Sequence, residues 1–233
     1  MGSLKIRWIG QGGYLLSDGN NTICIDPYLS NVVDRVAKRG RMVKAPFSPE
    51  KLRCDAVVCT HNHLDHVDID AIPLMNKESM LFLAPVDAKQ TLESCGVTKY
   101  IPFDEGATCE IGSFHLTAVY ACHSVPAIGV LVRHGGRTLY LSGDTEYHKR
   151  LEELADVKID VMIICINGRL GNMNVDEAVK LTGIIAPKLG IPTHYGMFES
   201  NTEDPSKYTS RLDCGYELEY NKEYDVEELL CLT

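Results

Sequence analysis

Short alternations of apolar and polar residues at the start of the chain predict three β-strands. They cover residues 4–9, 14–17 and 22–25, and a period of two is typical of strands that bury one face. A glycine-rich turn at 10–13 and an Asp-Gly-Asn-Asn turn at 18–21 separate them. Turns of this composition are typical of hairpin connections. The chain therefore opens as an antiparallel meander.

Further apolar runs continue the pattern in two blocks. Strands are predicted at 56–59, 80–84, 100–101, 108–111, 114–120, 128–134, 138–141 and 160–166. Helices are predicted at 70–76, 86–94, 175–186 and 205–212, the third with Asn174 as its N-cap and Glu177 as its capping-box partner. Strands in two blocks, each followed by helices, predict an α/β fold of two packed sheets with helices outside, formed by one domain over residues 1–233.

Composition narrows the class of protein. Hydrophobic residues make up 45% of the 233 positions, enough for a full core. A net charge of −9 disfavours binding to nucleic acid polymers, whose phosphates carry the same sign. The nine cysteines form no C-x-x-C pair, which indicates reduced thiols in a cytoplasmic protein. Neither a signal peptide nor a membrane span is apparent, so no membrane partner is expected, whereas a homo-oligomer stays open.

Residues 60–66, with the sequence THNHLDH, concentrate the candidate chemistry directly after a buried strand. Side chains alternate along an extended segment, so His61, His63 and Asp65 leave on one side, and a turn into a helix brings His66 beside them. Imidazole and carboxylate groups are the usual ligands of zinc, iron and manganese. A His-rich surface loop with incidental metal affinity is the alternative, but the spacing favours two metal ions.

The pattern H-x-H-x-D-H after a strand resembles the metal-binding motif of the metallo-β-lactamase superfamily. Further landmarks of that superfamily follow in its chain order over nearly the whole sequence, namely Asp26 after an early strand, His123 after the strand at 114–120, Asp144 after the strand at 138–141, and a late His194. The resemblance implies a four-layer αββα sandwich with two mixed sheets between outer helices. An exported β-lactamase role is disfavoured, because no signal peptide is apparent.

The resemblance also implies a dinuclear metal centre with a defined ligand set. One divalent ion would bind three histidines, the other a carboxylate and two histidines, and a second carboxylate would bridge them; these are His61, His63 and His123, then Asp65, His66 and His194, with Asp144 as the bridge. No cysteine occupies a ligand position, so manganese, zinc and iron all stay open. The resemblance favours Mn²⁺, with Zn²⁺ or Fe²⁺ as alternatives.

Several shorter motifs resemble the ascorbate-6-phosphate lactonase branch of the superfamily. They lie at 10–13 (GQGG), 26–30 (DPYLS), 166–169 (INGR), 171–174 (GNMN) and 193–198 (THYGMF). This resemblance implies a hydrolase that opens the lactone ring of a small anionic sugar-derived substrate such as L-ascorbate 6-phosphate. A metal-bridging hydroxide would attack the carbonyl, with Asp65 and Asp144 as catalytic carboxylates: Asp65 would orient the water and carry a proton to the leaving oxygen.

Substrate contacts are predicted from the loop that carries the lactonase motifs at 166–169 and 171–174. The lactonase pattern places Asn167, Arg169 and Asn172 near the substrate, and Arg169 would hold its anionic group in bidentate fashion. Tyr195 follows a predicted ligand and would line the pocket. Turn formation and packing are the alternative roles of these residues.

A second set of contacts is predicted from residues 31–49, termed here the basic segment. It carries Arg35, Lys38, Arg39, Arg41 and Lys44 against a single acid. In an acidic protein this excess of cations predicts a lid that binds the substrate anion, with Arg35 as the proposed contact. A solvated helix face is the alternative.

Other functions are compatible with parts of the pattern. A phosphodiesterase acting on a small nucleotide would use the same dinuclear centre and is the second prediction. An oxygen or nitric-oxide reductase of the flavodiiron type would have a glutamate in place of His63 and a flavin domain, and the sequence shows neither. A non-enzymatic metal-binding or scaffold protein would not need every ligand position to be filled. The sequence therefore predicts a metal-dependent hydrolase, with lactonase activity first.

Overall fold

Two β-sheets packed face to face, with helices on their outer sides, form the chain in the computed structural model, which describes residues 2–232. The strands in this range are β1 (Lys5–Gly10), β2 (Gly13–Ser17), β3 (Thr22–Ile25), β4 (Ala56–Val58), β5 (Leu81–Ala84), β6 (Tyr100–Pro102), β7 (Thr108–Ile111), β8 (Phe114–Tyr120), β9 (Ile128–His134), β10 (Arg137–Leu141), β11 (Val161–Cys165), β12 (Leu189–Thr193) and β13 (Glu223–Asp225). The α-helices are α1 (Val32–Ala37), α2 (Lys89–Ser94), α3 (Val175–Ile185), α4 (Ser206–Thr209) and α5 (Val226–Leu230). Short 3-10 helices lie at Pro49–Lys51, Ile72–Leu74, Lys77–Ser79, Val86–Ala88 and Lys149–Asp156.

Both sheets combine antiparallel and parallel strands. The first has the order β13-β1-β2-β3-β4-β5-β6, antiparallel from β13 to β3 and parallel from β3 to β6. The second has the order β12-β11-β10-β9-β8-β7, parallel from β12 to β10 and antiparallel beyond. The predicted sandwich of two mixed sheets is confirmed, and so is the opening meander.

Alternate side chains of the first sheet serve two different cores. In β3, Ile23 and Ile25 join the large core between the sheets, whereas Cys24 belongs to a second core on the outer face. Leu92 of α2 is buried in that outer core. On the other side of the molecule, α3 contributes Leu181 and its neighbours to the large core. In residues 2–232 no helix combines the length and apolar character that crossing a bilayer requires.

Two predicted elements differ from the structure. The helix predicted at 70–76 is a single 3-10 turn at Ile72–Leu74, because Pro73 has no N–H for a longer helical ladder. The helix predicted at 205–212 is shortened to Ser206–Thr209, since the chain folds back so closely that a Cβ on Gly215 would lie 2.7 Å from the Thr209 backbone. The capping box of α3 is present as predicted.

The carboxyl ends of five strands position the candidate site. β3 leads to Asp26, β4 to the loop at 60–66, β8 to His123, β10 to Asp144 and β12 to His194. In the first sheet β3 and β4 are parallel neighbours, as are β11 and β12 in the second. Residues that follow such strands meet at one edge of the sandwich.

Asp68 joins Leu29 and Ser30, just before the basic segment, to the residues that follow the loop at 60–66. Loss of its carboxylate is expected to destabilise the fold. The buried carboxylate accepts hydrogen bonds from the amides of Leu29, Ser30 and Ala71 at 2.8–2.9 Å. Leu29 and Ser30 contact one carboxylate oxygen and Ala71 contacts the other. In Asp68→Asn an amide nitrogen replaces one of these oxygens and leaves its donors unpaired, which is expected to lower the free energy of unfolding by about 1–3 kcal/mol per unpaired buried group. Urea unfolding measures this loss. The exposed Asp213→Asn is the control, and a change within about 0.5 kcal/mol of that control would contradict the assignment.

Candidate metal centre

The loop after β4 carries four of the predicted ligands on a short path. His61 is still extended and forms a β-bridge with Ala127. The chain then turns, because the amide of His66 donates to the carbonyl of His63 at 3.0 Å. This turn brings His66 back beside Asp65, with 3.8 Å between His66 Nε2 and Asp65 Oδ2. The local geometry is an extended segment followed by a turn.

Three histidines form the first ligand group. Nδ1 of His63 lies 2.9 Å from Nε2 of His61 and 3.2 Å from Nε2 of His123. His61 is fully buried, whereas the other two rings are partly exposed. Three imidazole nitrogens that converge at this spacing could hold one cation.

A carboxylate and two histidines form the second ligand group. Nε2 of His194 lies 3.6 Å from Oδ2 of Asp65, and Nε2 of His66 lies 3.8 Å from the same oxygen. Oδ1 of Asp144 is 3.4 Å from His66 Nε2 and 3.1 Å from His194 Nε2. Asp144 also forms a ligand group with His61 and His66, so it lies where a bridging carboxylate belongs.

The residues present fit divalent cations. In each ligand group the ligand atoms lie within 4.8 Å of one another. Among the residues that the structure describes, His66 Nε2 and Asp144 Oδ1 are buried without a hydrogen-bond partner. Unpaired buried polar atoms cost about 1–3 kcal/mol each, and a shared cation removes that cost. The donors are imidazole nitrogens and carboxylate oxygens, which suit manganese, zinc and iron.

Outer partners fix which nitrogen of a ligand ring faces the centre. Asp26 Oδ2 lies 2.8 Å from Nδ1 of His66, and Asp26 is itself held by the amide of Thr60 at 2.8 Å. The carbonyl of Gly171 lies 2.9 Å from Nδ1 of His123. An acceptor at Nδ1 keeps the proton there and leaves Nε2 for a metal. The fold therefore supports the tautomer that metal binding requires.

Gln11 contacts both Asp65 and His194, the two members of the second ligand group that lie furthest apart in the sequence. It is fully buried, and its Nε2 lies 2.8 Å from Oδ2 of Asp65 and 2.9 Å from Nε2 of His194. Its backbone φ is +53°, and Asp26 and His194 have φ values of +44° and +64°. Non-glycine residues in this left-handed region are strained, and such strain clusters at functional sites. The surrounding fold thus imposes the geometry of this centre.

Electrostatics separates the histidines into two kinds. Burial lowers the pKa of His61 well below its usual range. Burial opposes protonation of His194 as well, but the carboxylate of Asp144 contributes most to raising its pKa to about 9. For His66, burial is likewise outweighed, by Asp26 and then Asp144, and the pKa is raised well above its usual range. Positive charge is therefore favoured on the side of the cluster that holds the carboxylates, where divalent ions would supply it.

Substituting Gly171 with alanine is expected to weaken metal binding at the three-histidine group. Gly171 has a φ of +89°, and an added Cβ would lie 2.7 Å from Nδ1 of His123. The ring would have to move, and it would lose its hydrogen bond to the Gly171 carbonyl. We expect the metal Kd to rise about 10- to 100-fold, as for other losses of an outer partner. Competition with a fluorescent chelator measures this change.

Gly135→Ala is the matched control for that substitution. Gly135 also has a positive φ, +57°, but an added Cβ there would meet nothing within 4 Å. The control therefore carries the backbone strain without the contact to a ligand. Equal losses of metal affinity in both variants would contradict the role given to Gly171.

The ligand cluster forms part of the wall of a cavity of about 460 Å³. The lining consists of ligands (His63, Asp65, Asp144, His194), apolar residues (Val33, Ala37, Leu64, Leu170, Phe198) and polar residues (Arg39, Ser124, Asn201). The cavity therefore gives a small molecule direct access to both predicted catalytic carboxylates.

The polar loop predicted to contact the substrate makes hydrogen bonds within the protein. Asn167 donates to Oδ1 of Asn201 at 2.8 Å, and Asn172 donates to Oδ1 of Asn167 at 3.0 Å. Arg169 donates to the backbone carbonyl of Ser200 at 3.2 Å. In the described part of the chain none of the three predicted residues lines the cavity. Asn167 and Arg169 are bonded to the neighbouring loop, and Asn172 is bonded to Asn167. Asn201 is the residue of this network that reaches the cavity.

Tyr195 and Arg35 also lie away from the cavity. Tyr195 is buried, with its ring centroid 4.8 Å from that of Trp8. Arg35 forms a bidentate ion pair with Asp70, with distances of 2.9 and 2.6 Å. Tyr195 packs and Arg35 is paired, and neither lines the cavity, so their predicted substrate contacts stay predictions. Arg39, four positions beyond Arg35, lines the cavity.

Sequence reasoning gave no role to two residues of the centre. Gln11 was interpreted as turn chemistry, and Asp26 served as a family landmark without a function. A signal was present for Asp26, because it follows β3, the parallel neighbour of the strand that leads into the ligand loop. Polar residues that follow neighbouring parallel strands meet at one edge of the sheet. For Gln11 the sequence carries no comparable signal, since the turn that positions it is typical of any hairpin.

Comparison with known proteins agrees with this geometry. Residues 21–195 match the family model for the beta-lactamase superfamily domain. A UPF0173 metal-dependent hydrolase of Thermoplasma acidophilum is 30% identical over 216 residues, which cover 89% of this chain and 90% of the relative. A UPF0173 metal-dependent hydrolase of Methanosarcina mazei is 28% identical over 227 residues, which cover 91% of this chain and 92% of the relative.

A solved structure shares the fold. The metallo hydrolase of the hyperthermophilic archaeon Ignicoccus hospitalis has a TM-score of 0.77 at 20% identity, and the match covers 95% of this chain and 97% of that one. The prediction of a metal-dependent hydrolase is confirmed at this level, whereas the narrower resemblance to ascorbate-6-phosphate lactonases stays a prediction. The chain belongs to the metallo-β-lactamase superfamily and, within it, to the UPF0173 family of metal-dependent hydrolases.

Proposed function

We propose that the chain hydrolyses a lactone or carboxylic ester of a small molecule that carries a negative charge. The observation that carries this proposal is the position of Asp65, Asp144, His63 and His194 in the wall of one cavity of about 460 Å³. Ligand pockets of about 300–1,000 Å³ are typical for small molecules. L-Ascorbate 6-phosphate is the specific lactone that the sequence resemblance supports.

The two catalytic carboxylates differ in their access to a substrate. Divalent ions held by the ligand set would lower the pKa of water and neutralise charge on the substrate's carbonyl oxygen. The Asp65 side chain is 17% exposed and that of Asp144 is 7% exposed. Both carboxylates line the cavity, but Asp65 is the more exposed, so we assign the contact with the substrate to Asp65 and the bridging position to Asp144.

Asp65 is also arranged to move a proton. Gln11 and His194 both contact its Oδ2 atom, at 2.8 and 3.6 Å, so Oδ1 is the oxygen left to accept a proton. Water adds to the carbonyl carbon and gives a proton to Asp65 Oδ1; the acyl C–O bond then breaks, and the same proton passes to the leaving oxygen. A lactone opens in this way to a hydroxy acid.

A phosphodiesterase of small nucleotides has weaker support. In the described part of the chain, Arg39 is the one arginine in the cavity lining, which contains no lysine. Phe198 is the one aromatic side chain there other than the histidines, and it is buried. A nucleotide would therefore find little to stack its base on.

A substrate panel tests the proposal. Proteins loaded with manganese, zinc or iron are assayed by pH-stat titration against L-ascorbate 6-phosphate, lactones and esters with and without a carboxylate, and phosphodiesters. The proposal predicts metal-dependent acid release from a charged lactone or ester. Cleavage of phosphodiesters alone would falsify it.

A further inference from the structure

We infer that the substrate carries one carboxylate on an apolar body and that Arg39 binds this carboxylate. The inference rests on the proposed function and narrows it: the small anionic substrate would be a lactone or ester with a hydrocarbon frame rather than a sugar phosphate. It assigns a specificity-determining role to a residue outside the metal centre.

Arg39 is the arginine of the basic segment that is free to bind a ligand. Arg35 is paired with Asp70. Arg41 donates to the backbone carbonyl of Tyr28 at 3.0 Å, and its guanidinium lies 4.4 Å from the centroid of the Tyr28 ring. Arg39 lines the cavity and has neither a hydrogen-bond nor an ion-pair partner within residues 2–232. A guanidinium in this position offers a planar pair of donors that matches a carboxylate.

The charge balance of the site favours a single negative charge on the substrate. Asp26, Asp65 and Asp144 lie together at the metal centre, and their three negative charges offset most of the charge of two divalent ions. The centre therefore supplies little surplus attraction for a second anionic group. Arg39 is then the main attraction for an anion at the far end of the substrate, and one guanidinium balances one carboxylate but leaves a phosphate dianion undercompensated.

Apart from the metal ligands, most residues of the cavity wall are apolar. Val33 from α1, Leu64 from the ligand loop and Phe198 from the loop after β12 face this space. The amide oxygen of Asn201 there already accepts a hydrogen bond from Asn167. Ser124 and the amide nitrogen of Asn201 are the uncharged polar groups left in the lining. A sugar with several hydroxyl groups would therefore replace few of the hydrogen bonds that it loses to water, whereas a hydrocarbon body gains from leaving water.

Leu170 gives a second, independent reason for an apolar substrate. It has a φ of +56° and an exposed fraction of 56%, and it lies at the cavity. The left-handed conformation is costly for leucine, and asparagine or glycine adopts it more readily. Exposure to water gives the side chain no compensating burial. A hydrocarbon body in the cavity would cover this side chain, and that contact accounts for leucine at this position.

Binding of simple carboxylates tests the inference without requiring turnover. Acetate, hexanoate and the uncharged hexanamide are titrated by calorimetry into the manganese-loaded full chain. Each buried methylene is worth several-fold in affinity, so hexanoate is expected to bind at least about tenfold more tightly than acetate. Hexanamide, which lacks the charge, is expected to bind at least about tenfold more weakly than hexanoate.

Matched variants separate the charge from the apolar wall. Arg39→Gln is expected to lower the affinity for hexanoate to about that for hexanamide. Lys44→Gln removes an exposed positive charge from the same segment and is expected to leave the affinity for hexanoate unchanged. Leu170→Asn keeps a residue suited to the left-handed backbone and is expected to reduce the preference for hexanoate over acetate. With monomethyl adipate as an ester, Arg39→Gln is expected to raise KM and leave kcat nearly unchanged.

The possible outcomes separate this inference from the proposed function. Equal affinities for hexanoate and acetate, absence of hexanoate binding, or an Arg39→Gln variant that binds like the unmodified protein would each overturn the inference. If the binding pattern holds but no lactone or ester is hydrolysed, the proposed reaction fails while the recognition of an apolar carboxylate stands. If esters are hydrolysed without this selectivity, the inference about Arg39 fails while the proposed reaction stands.

Discussion

Replacing Asp144 with asparagine is expected to remove one metal ion and to lower kcat/KM by more than about 100-fold, since loss of an outer partner alone costs 10- to 100-fold. Oδ1 of Asp144 is the oxygen that approaches both His66 and His194, at 3.4 and 3.1 Å. An amide keeps the shape of the side chain but removes the negative charge that joins two cations. Added metal should not restore the activity, because the bridging charge is absent at any metal concentration.

Elemental analysis and steady-state kinetics measure these two effects together. Asp213→Asn is the control, since Asp213 is an exposed carboxylate away from the cavity, and it should keep full activity and metal content. If the Asp144 variant held as much metal as the unmodified protein and kept its activity, the bridging role would be wrong.

Asp26→Asn is expected to weaken metal binding at the second ligand group by about 10- to 100-fold. Asp26 is fully buried, and its Oδ2 atom accepts from the Thr60 hydroxyl at 2.7 Å while lying 2.8 Å from His66 Nδ1. An asparagine has one oxygen for the Thr60 amide, which contacts Oδ1, and for the partners of Oδ2. If that oxygen faces the Thr60 amide, the His66 ring loses the acceptor that fixes its tautomer. Unlike the Asp144 variant, this one should regain most of its activity in excess metal, because every direct ligand is still present.

Asp18→Asn is a close control for the Asp26 substitution. Asp18 is also a buried carboxylate paired with a buried histidine, with 3.2 Å between its Oδ2 and Nε2 of His134. It lies in the turn before β3, at the opposite end of that strand from Asp26. The control is expected to lower stability and to leave metal affinity unchanged. Activity of the Asp26 variant that is independent of metal concentration would contradict the outer-partner role.

The metal loop could be predicted because its geometry is local. Alternation along a strand and one turn place His61, His63, Asp65 and His66 together, and both features follow from neighbouring residues. The convergence of His194 with that loop could not be derived from spacing, because it depends on how β12 and β4 are placed in two different sheets. For that ligand, as for the others outside the loop, the family resemblance supplied the assignment.

The residues that line the cavity could not be predicted because they depend on where single side chains point. Arg35 and Arg39 carry the same group four positions apart, but α1 ends at Ala37 and Lys38 adopts a left-handed conformation with a φ of +57°. That change of direction sends Arg39 to the cavity and leaves Arg35 beside Asp70. Nothing in the spacing of charges indicates such a turn at a lysine.

The late elements escaped prediction for a related reason. β13 has the sequence Glu-Tyr-Asp and only partly buried or exposed residues, so it lacks the apolar alternation that predicts a strand. It forms because β1 offers an open edge, against which Lys5 pairs with Asp225. A strand of this kind is determined by its partner rather than by its own sequence.

Anomalous scattering from a crystal grown with Mn²⁺ tests the central claim most directly. The account predicts two peaks per chain, one among His61, His63 and His123 and the other among Asp65, His66 and His194, with Asp144 between them. A single peak, or peaks away from these seven side chains, would contradict it.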